Sequence, residues 1–396
     1  MKESVSISVG TDFFVCKGDT NFCKIVTMTV LNRQLRKVSN GSGAMVTKSE
    51  KGVYRMQKGH ASILFEDPPR IVGGASVVGK KESEGPLGNQ FDQVIKEDMA
   101  GQDCWEMAES AMQIKAAEMA IRKAGRKKSD IRYLFSGDLL GQLIATSFGT
   151  GSLEIPLFGL YGACSTMGEA MSLGAMTVHG GYADRVLAMA SSHFATAEKE
   201  FRFPLAYGSQ RPFSATWTVT GCGAVVIEKA VQGNDKVKIR GLTTGRVIDL
   251  GVRDSMNMGA AMAPAAALTV LQNFEDLNVD ETFYDRIITG DLGRTGGTIF
   301  CQMMREKGYE IKDRYMDCGI EIFDGSDQDT HSGGSGCGCS AVTMCSYIMK
   351  KMKNHSWNRV LFVPTGALLS TVSYNEGKSV PGIAHAVILE RKGNRK

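Results

Sequence analysis

The stretch Leu157-Phe-Gly-Leu-Tyr-Gly-Ala-Cys164-Ser165-Thr166-Met-Gly-Glu-Ala170 decides how the chain is read, because an apolar run stops there at Cys-Ser-Thr and a helical pattern begins. Met167, Ala170, Met171 and Gly174 recur at helical spacing, and Gly180-Gly181 supply a stop. A cysteine therefore sits at a strand-to-helix joint. The first turn of a helix has unpaired N–H groups and a positive partial charge, which lower a thiol's pKa and suit a nucleophile or an anion site. The competing reading is a buried cysteine that fills space.

Outward from this joint, elements alternate. Ser62–Phe65 reads as a short strand, broken by Pro68-Pro69, and extended structure resumes over Ile71-Val72 and Ala75–Val78. A helix is expected over 103–124, where Trp105, Ala108, Met112, Ala116 and Met119 recur and Gly125 follows. Ile131–Phe135 and Arg185–Ala190 read as buried strands, the second ending at Ser191-Ser192-His193. The pattern predicts an α/β fold with buried sheets.

The second half repeats the first. Tyr284–Leu292 echoes Ile131–Leu139, Gly338-Cys339-Ser340 echoes Ala163-Cys164-Ser165, Asn358–Leu361 echoes Asp184–Leu187, and Ala386–Glu390 echoes Ala224–Glu228. Recurring in one order at separations of roughly 150 to 175 residues, these landmarks indicate duplicated α/β halves, 56–231 and 232–396. Residues 1–55 read as a poorly patterned extension without a sustained period, and its Cys16 and Cys23 are spaced unlike a zinc motif.

Composition narrows the function. The 46 basic and 42 acidic residues leave a formal charge of +4, which implies no field-scale attraction to nucleic acid or anionic lipid. No apolar run spans a membrane, and the N-terminus does not read as a signal peptide. Ten cysteines without framework spacing read as reduced thiols in a cytoplasmic setting.

A duplicated half with a cysteine at the helix start resembles the thiolase and ketoacyl synthase superfamily, and Met258-Gly-Ala-Ala-Met-Ala-Pro264-Ala looks like its Met-Gly-x-Gly-Pro segment. The closer resemblance is to the stage V sporulation protein AD family. It rests on Gly85-Pro86-Leu-Gly88, Cys104-Trp105-Glu-Met-Ala-Glu109, Ser136-Gly-Asp-Leu-Leu140, Gly162-Ala-Cys-Ser-Thr166, Ser191-Ser-His-Phe-Ala-Thr-Ala-Glu198, Gly245–Gly251, Gly333–Ala341 and Thr365–Ser370, within about Met56 to Glu390. The resemblance implies a thiolase-like fold of packed sheets between helical layers and a homodimer. It further implies a sporulation protein that binds dipicolinic acid, alone or with calcium, during uptake and germination release. Attachment to the periphery of the spore inner membrane, through other stage V channel proteins and without a span of its own, is also implied.

Condensing chemistry needs donors for an oxyanion and a His or Asn partner from the second half. At the corresponding places this chain offers Thr289-Gly-Asp291-Leu-Gly and Gly333-Gly-Ser-Gly-Cys337. The expectation is a binding pocket without catalysis or a resident cofactor, with acyl transfer through Cys164 as the alternative. The candidate ligand-binding residues are Asp138, Cys164, Ser165, His193 and Ser335. Ser165 and Thr166 join the first-turn donors, and the Gly333–Gly338 loop is either an anion nest or a place of close packing. His193 is either a pocket residue or a strand-end histidine bonded to backbone. Arg202 and Arg211 are weighed for the pocket and set against ordinary ion pairing. Asp138 opposes a dianion unless the ligand arrives as its calcium chelate, or Asp138 is protonated or orients a donor. Cys337 and Cys339 lack a second ligand pair, so metal binding is not expected.

Overall fold

The computed structural model describes residues 5–9, 12–16, 56–202, 210–231 and 236–391. The chain divides into two compact units, Met1–Val53 and Tyr54–Lys396. In the first, Val5–Val9 pairs antiparallel with Asp12–Cys16. Within the segment expected to lack a sustained period, Val5-Ser-Ile-Ser-Val9 alternates briefly with the period of a strand. Cys23 and most of that segment lie outside the described residues.

The larger unit is built on a mixed sheet. Its first half supplies β1 (Arg70–Val78), β2 (Tyr133–Gly137), β3 (Leu157–Gly159), β4 (Arg185–Ser192) and β5 (Gly221–Glu228). The second supplies β6 (Lys238–Thr243), β7 (Arg286–Thr289), β8 (Tyr315–Asp317), β9 (Arg359–Val363) and β10 (Ala386–Glu390). The strand order is β3-β2-β4-β5-β1 followed by β6-β10-β9-β7-β8. Each half thus arranges its strands as third, second, fourth, fifth, first. Each also has the same sense of pairing: β2 runs parallel to β3 and β4 as β7 does to β8 and β9, whereas β5 and β10 run antiparallel to their neighbours. The halves meet along β6, where Lys238 is in register with Arg70 and Gly241, Leu242 and Thr243 with Leu64, Ile63 and Ser62.

The sequence echoes fall on equivalent strands, but the cysteine echo is out of register. The helices concerned begin at Thr166 and Cys337, so Ser335, not Cys339, stands two residues before its helix as Cys164 does.

The helices used below are α1 (Trp105–Lys123), α2 (Ile144–Gly151), α3 (Thr166–His179), α4 (Phe194–Phe201), α5 (Met258–Leu277), α6 (Gly293–Glu306) and α7 (Cys337–Thr343). After α7 the coil widens into a π turn over Met344–Ile348 and returns to an α turn over Met349–Lys353. In α1 the buried Ala108, Met112, Ala116 and Ala120 recur every four residues and pack on Ala75, Val77 and Met189 of the first half-sheet.

Helix α3 is apolar nearly all round, as a helix between two layers must be. A Cβ on its Gly168 would lie 3.1 Å from the His385 carbonyl and the Pro364 ring of the second half. On the other side α7 presses on β5, where a Cβ on Gly223 would meet the Ala341 backbone at 2.3 Å. Helices α3 and α7 are therefore the inner layer, with α1 outside the first half-sheet and α5 and α6 packed together beside the second. The result is the thiolase-like arrangement of duplicated halves and helical layers. Among the described residues no helix is long and apolar enough to cross a membrane.

Candidate functional site at the Cys164 cavity

The inner helices start near the C-terminal ends of parallel strands, where α/β sheets open a crevice. Ala163, just before Cys164, has φ 49°. For a residue with a Cβ this left-handed backbone costs about 1–2 kcal/mol, so something must hold it. The Ala163 carbonyl accepts the Cys337 thiol at 3.0 Å and the Thr166 hydroxyl at 2.7 Å, while the Ser165 hydroxyl donates to the Gly162 carbonyl at 2.7 Å. Cys164 is thereby turned onto a cavity of about 30 Å³, whose wall includes Tyr161, Phe201, Arg202, Ser335 and Leu369.

The charge state of the thiol is the opposite of the helix-start expectation. Burial pushes the Cys164 pKa well above its ordinary value, and the nearby Asp291 carboxylate pushes in the same direction. A helix terminus contributes about 0.3–2 kcal/mol, too little to offset complete burial beside an acid. Asp291 is itself pushed up to about 7 by burial, although it accepts the Thr365 hydroxyl at 2.7 Å and the Gly336 N–H at 3.0 Å. Nearby Asp317, also buried, is pushed up to about 6 while accepting Thr289 Oγ1 and the N–H groups of Leu292, Gly293 and Ile320. At pH 7 the Cys164 thiol is therefore protonated, beside an Asp291 that is only partly ionised.

Of the residues picked out by sequence, Cys164 and Ser335 line the cavity together, as the equivalents of one another in the two halves. Asp138, Ser165 and His193 do not line it. Asp138 accepts the N–H groups of Leu140 and Thr146 at 2.8 Å each and the Thr146 hydroxyl at 2.6 Å, which folds the loop into α2; its neighbour Leu139 reaches the wall instead. Asp138 also sits beside Glu109, which burial, reinforced by the Asp138 charge, raises to about 8. Ser165 is spent on Gly162.

His193 takes the backbone-bonded role. Its Nδ1 accepts the Ala195 N–H at 3.1 Å and caps α4, and its Nε2 lies 2.8 Å from the Asp98 carbonyl, so it is a neutral Nε2–H tautomer. Burial lowers its pKa, consistent with that form. The helix that it caps carries Ala197 and Phe201, and then Arg202, to the cavity wall.

The Gly333–Gly338 loop serves packing. Gly336 has φ 98°, and a Cβ there would meet Ser192 Oγ at 2.7 Å. Its N–H goes to Asp291, and that of Gly338 to Ser192 Oγ at 3.0 Å, so these donors are already engaged.

Sequence reasoning underrated Arg202 and missed Tyr161 and Asp291 as neighbours of Cys164. Arg202 is the one cation among the residues lining the cavity; it bonds Glu198 at 2.6 Å and the Thr216 carbonyl at 2.9 Å. Arg211 instead pairs with Asp329 at 2.7 Å. Tyr161 is 44% exposed and reaches the Leu139 carbonyl only at 3.5 Å. The signal for Asp291 was present in the repeat, since it stands where Asp138 stands in the first half. No group of three or more His, Cys, Asp or Glu suited to a metal occurs among the described residues.

The profile of the family described as stage V sporulation protein AD matches residues 59–390. The chain belongs to the stage V sporulation protein AD family. Stage V sporulation protein AD of Bacillus subtilis (strain 168) is 43% identical over 335 residues, covering 85% of this chain and 98% of the relative. Membership supports a role in sporulation for this member of the family.

Solved structures share the fold at low identity. OleA of Xanthomonas campestris superposes with a TM-score of 0.53 at 16% identity, covering 83% of this chain and 99% of that one. The 3-oxoacyl-[acyl-carrier-protein] synthase III of Aquifex aeolicus VF5 gives 0.50 at 12%, covering 81% and 99%. This stage V sporulation protein AD family member thus shares its fold with OleA and with the synthase.

Proposed function

We propose that this chain serves sporulation as a binding protein, with no acyl-transfer turnover, and that dipicolinate, free or as its calcium chelate, is the ligand of the Cys164 cavity. The observation that carries the reading is the Cys164–Asp291 pair. A nucleophilic cysteine needs a base or a lowered pKa, whereas this thiol is buried and faces a carboxylate. The residues lining the cavity include no His or Asn to serve as its partner.

Arg202, the Ser335 side chain and the apolar Phe201 and Leu369 supply what a flat aromatic dicarboxylate needs, a charged donor and apolar walls. A cavity of about 30 Å³ holds roughly one water, so admission of the ligand requires a wall to move. Tyr161 is that wall, being half exposed and weakly tethered. Asp138 is not available to a chelated calcium, because its oxygens are already engaged by three donors.

A homodimer is part of the same proposal. Among the described residues strand β3 is an edge of the sheet, with Leu157 39% and Phe158 51% exposed. An apolar edge of this kind invites strand pairing with a second copy. Association with the spore inner membrane through other stage V channel proteins belongs to this reading and rests on family membership. Thermal unfolding with dipicolinate, with and without calcium, tests the binding claim. The melting temperature rises with ligand concentration if the folded chain binds it, and an unchanged temperature up to saturation with both forms counts against it.

A further inference from the structure

A second concavity, sharing no lining residue with the Cys164 cavity, lies where β1 meets the start of β6 and the end of the helical run after α7. It measures about 410 Å³, within the usual range of ligand sites. Its floor is apolar, made by Ile71, Val72, Val237 and Met349, and its rim carries Lys236, Lys353 and Arg391. Among the described residues no carboxylate lines it. The larger groove beside β10 is different in kind, because its charges cancel: Arg359 pairs with Glu390 at 2.6 Å and Lys229 with Asp184 at 2.9 Å.

The end of a helix accounts for part of this clustering. Cations favour a helix C-terminus, and Arg391 donates to the Met352 and Lys353 carbonyls there. It does not account for Lys236, which arrives from the other side on the segment leading into β6. Burial, followed by the like charges of Lys236 and Lys123, lowers the Lys353 pKa. Lys123 is offset by its ion pair with Asp92, but Lys236 and Lys353 enter no ion pair among the described residues. Like charges held around an apolar floor are a repulsion that a bound anion relieves.

We propose that this recess is a binding site for a phosphate-type anion, held by Lys236, Lys353 and Arg391. A fork-shaped guanidinium and two flexible ammonium groups suit the several oxygens of a phosphate. The chemistry is shared by a phosphorylated lipid headgroup and a soluble phosphate.

Two measurements on the full chain separate the sources. Flotation with vesicles of phosphatidylcholine alone, or enriched in phosphatidylglycerol, reads the headgroup, and calorimetric titration with inorganic pyrophosphate reads the soluble anion. Each basic residue near an anionic surface contributes about 1 kcal/mol, roughly a fivefold change in affinity. The double variant Lys236→Glu/Lys353→Glu is therefore expected to weaken binding by at least about 25-fold, and Lys236→Arg/Lys353→Arg to retain it. Loss confined to phosphatidylglycerol vesicles assigns the site to a headgroup, and loss of pyrophosphate binding assigns it to a soluble ester. The proposal is overturned if the unmodified chain binds neither probe, or if the glutamate variant, folded by circular dichroism, binds as well as the unmodified chain. Abolished dipicolinate binding in that variant overturns it too, by giving the recess to a dicarboxylate; failure of the Cys164 reading alone leaves these measurements unaffected.

Discussion

The Asp291 carboxylate stands close enough to Cys164 to raise the pKa of its thiol, and the two residues come from different copies of the repeat. The most reactive-looking position of the fold thus holds a neutral thiol, since burial first and the acid second raise the pKa that the helix start would lower. Alkylation by iodoacetamide at neutral pH is therefore expected to be slower at Cys164 than at exposed Cys104. Asp291→Asn removes the opposing charge and is expected to raise the thiolate fraction and speed the labelling of Cys164. Mass spectrometry of the labelled peptides reads both rates; fast labelling of Cys164 in the unmodified chain contradicts the assignment.

The same acid imposes a pH dependence on stability. Asp291 has a folded pKa of about 7, above its ordinary carboxylate value, so the folded chain holds a proton that the unfolded chain releases as pH rises past the ordinary range. Its contribution is full below the unfolded pKa and is lost as pH rises through about 7. His385, lowered to about 4 by burial, acts with the opposite sign below its ordinary value, so the difference between two proteins is the cleaner quantity. Subtracting the pH–stability curve of Asp291→Asn from that of the unmodified chain should leave a decline with rising pH that levels off above about 7. A flat or rising difference over that window contradicts the raised pKa.

Asp138→Asn is expected to act on stability, not on recognition of a metal. The amide retains one acceptor oxygen but turns an N–H₂ toward a site where Thr146 donates twice. An unsatisfied buried group costs about 1–3 kcal/mol. Denaturant unfolding checks the magnitude, and an unchanged midpoint with a selective loss of calcium dipicolinate affinity would restore the metal role.

The fold was legible because its signals are local and repeated: the fourfold spacing in α1, the apolar strands, and echoes such as Arg185-Val-Leu against Arg359-Val-Leu. The site was only half legible. Cys164 could be found because a strand-to-helix joint marks it, and Ser335 because a glycine loop does. Nothing local distinguishes Asp138, whose partners lie within eight residues, from Asp291, whose partners Gly336 and Thr365 are remote in sequence. His193 read as ambiguous for the same reason. Whether its ring serves a pocket or a helix cap is decided by the Asp98 carbonyl, which belongs to a distant loop.

The edge strand makes a prediction about assembly. Leu157→Lys places a charge on an exposed apolar strand edge, which is how soluble sheets resist pairing. Phe158 is less suitable for this test because it stacks on Phe135 at 5.2 Å and contributes to the fold. Sedimentation velocity is expected to show a dimer for the unmodified chain and a monomer for Leu157→Lys. A dimer that survives the substitution places the interface elsewhere.

The central claim is that the Cys164 cavity binds a dicarboxylate and performs no chemistry on it. Calorimetric titration of dipicolinate, with and without calcium, into the unmodified chain and into Cys164→Trp tests this most directly, because an indole at position 164 fills a cavity of about 30 Å³. The account predicts measurable binding by the unmodified chain and none by Cys164→Trp, once circular dichroism has shown the variant to be folded. Equal binding by both would place the ligand outside this cavity and contradict the account.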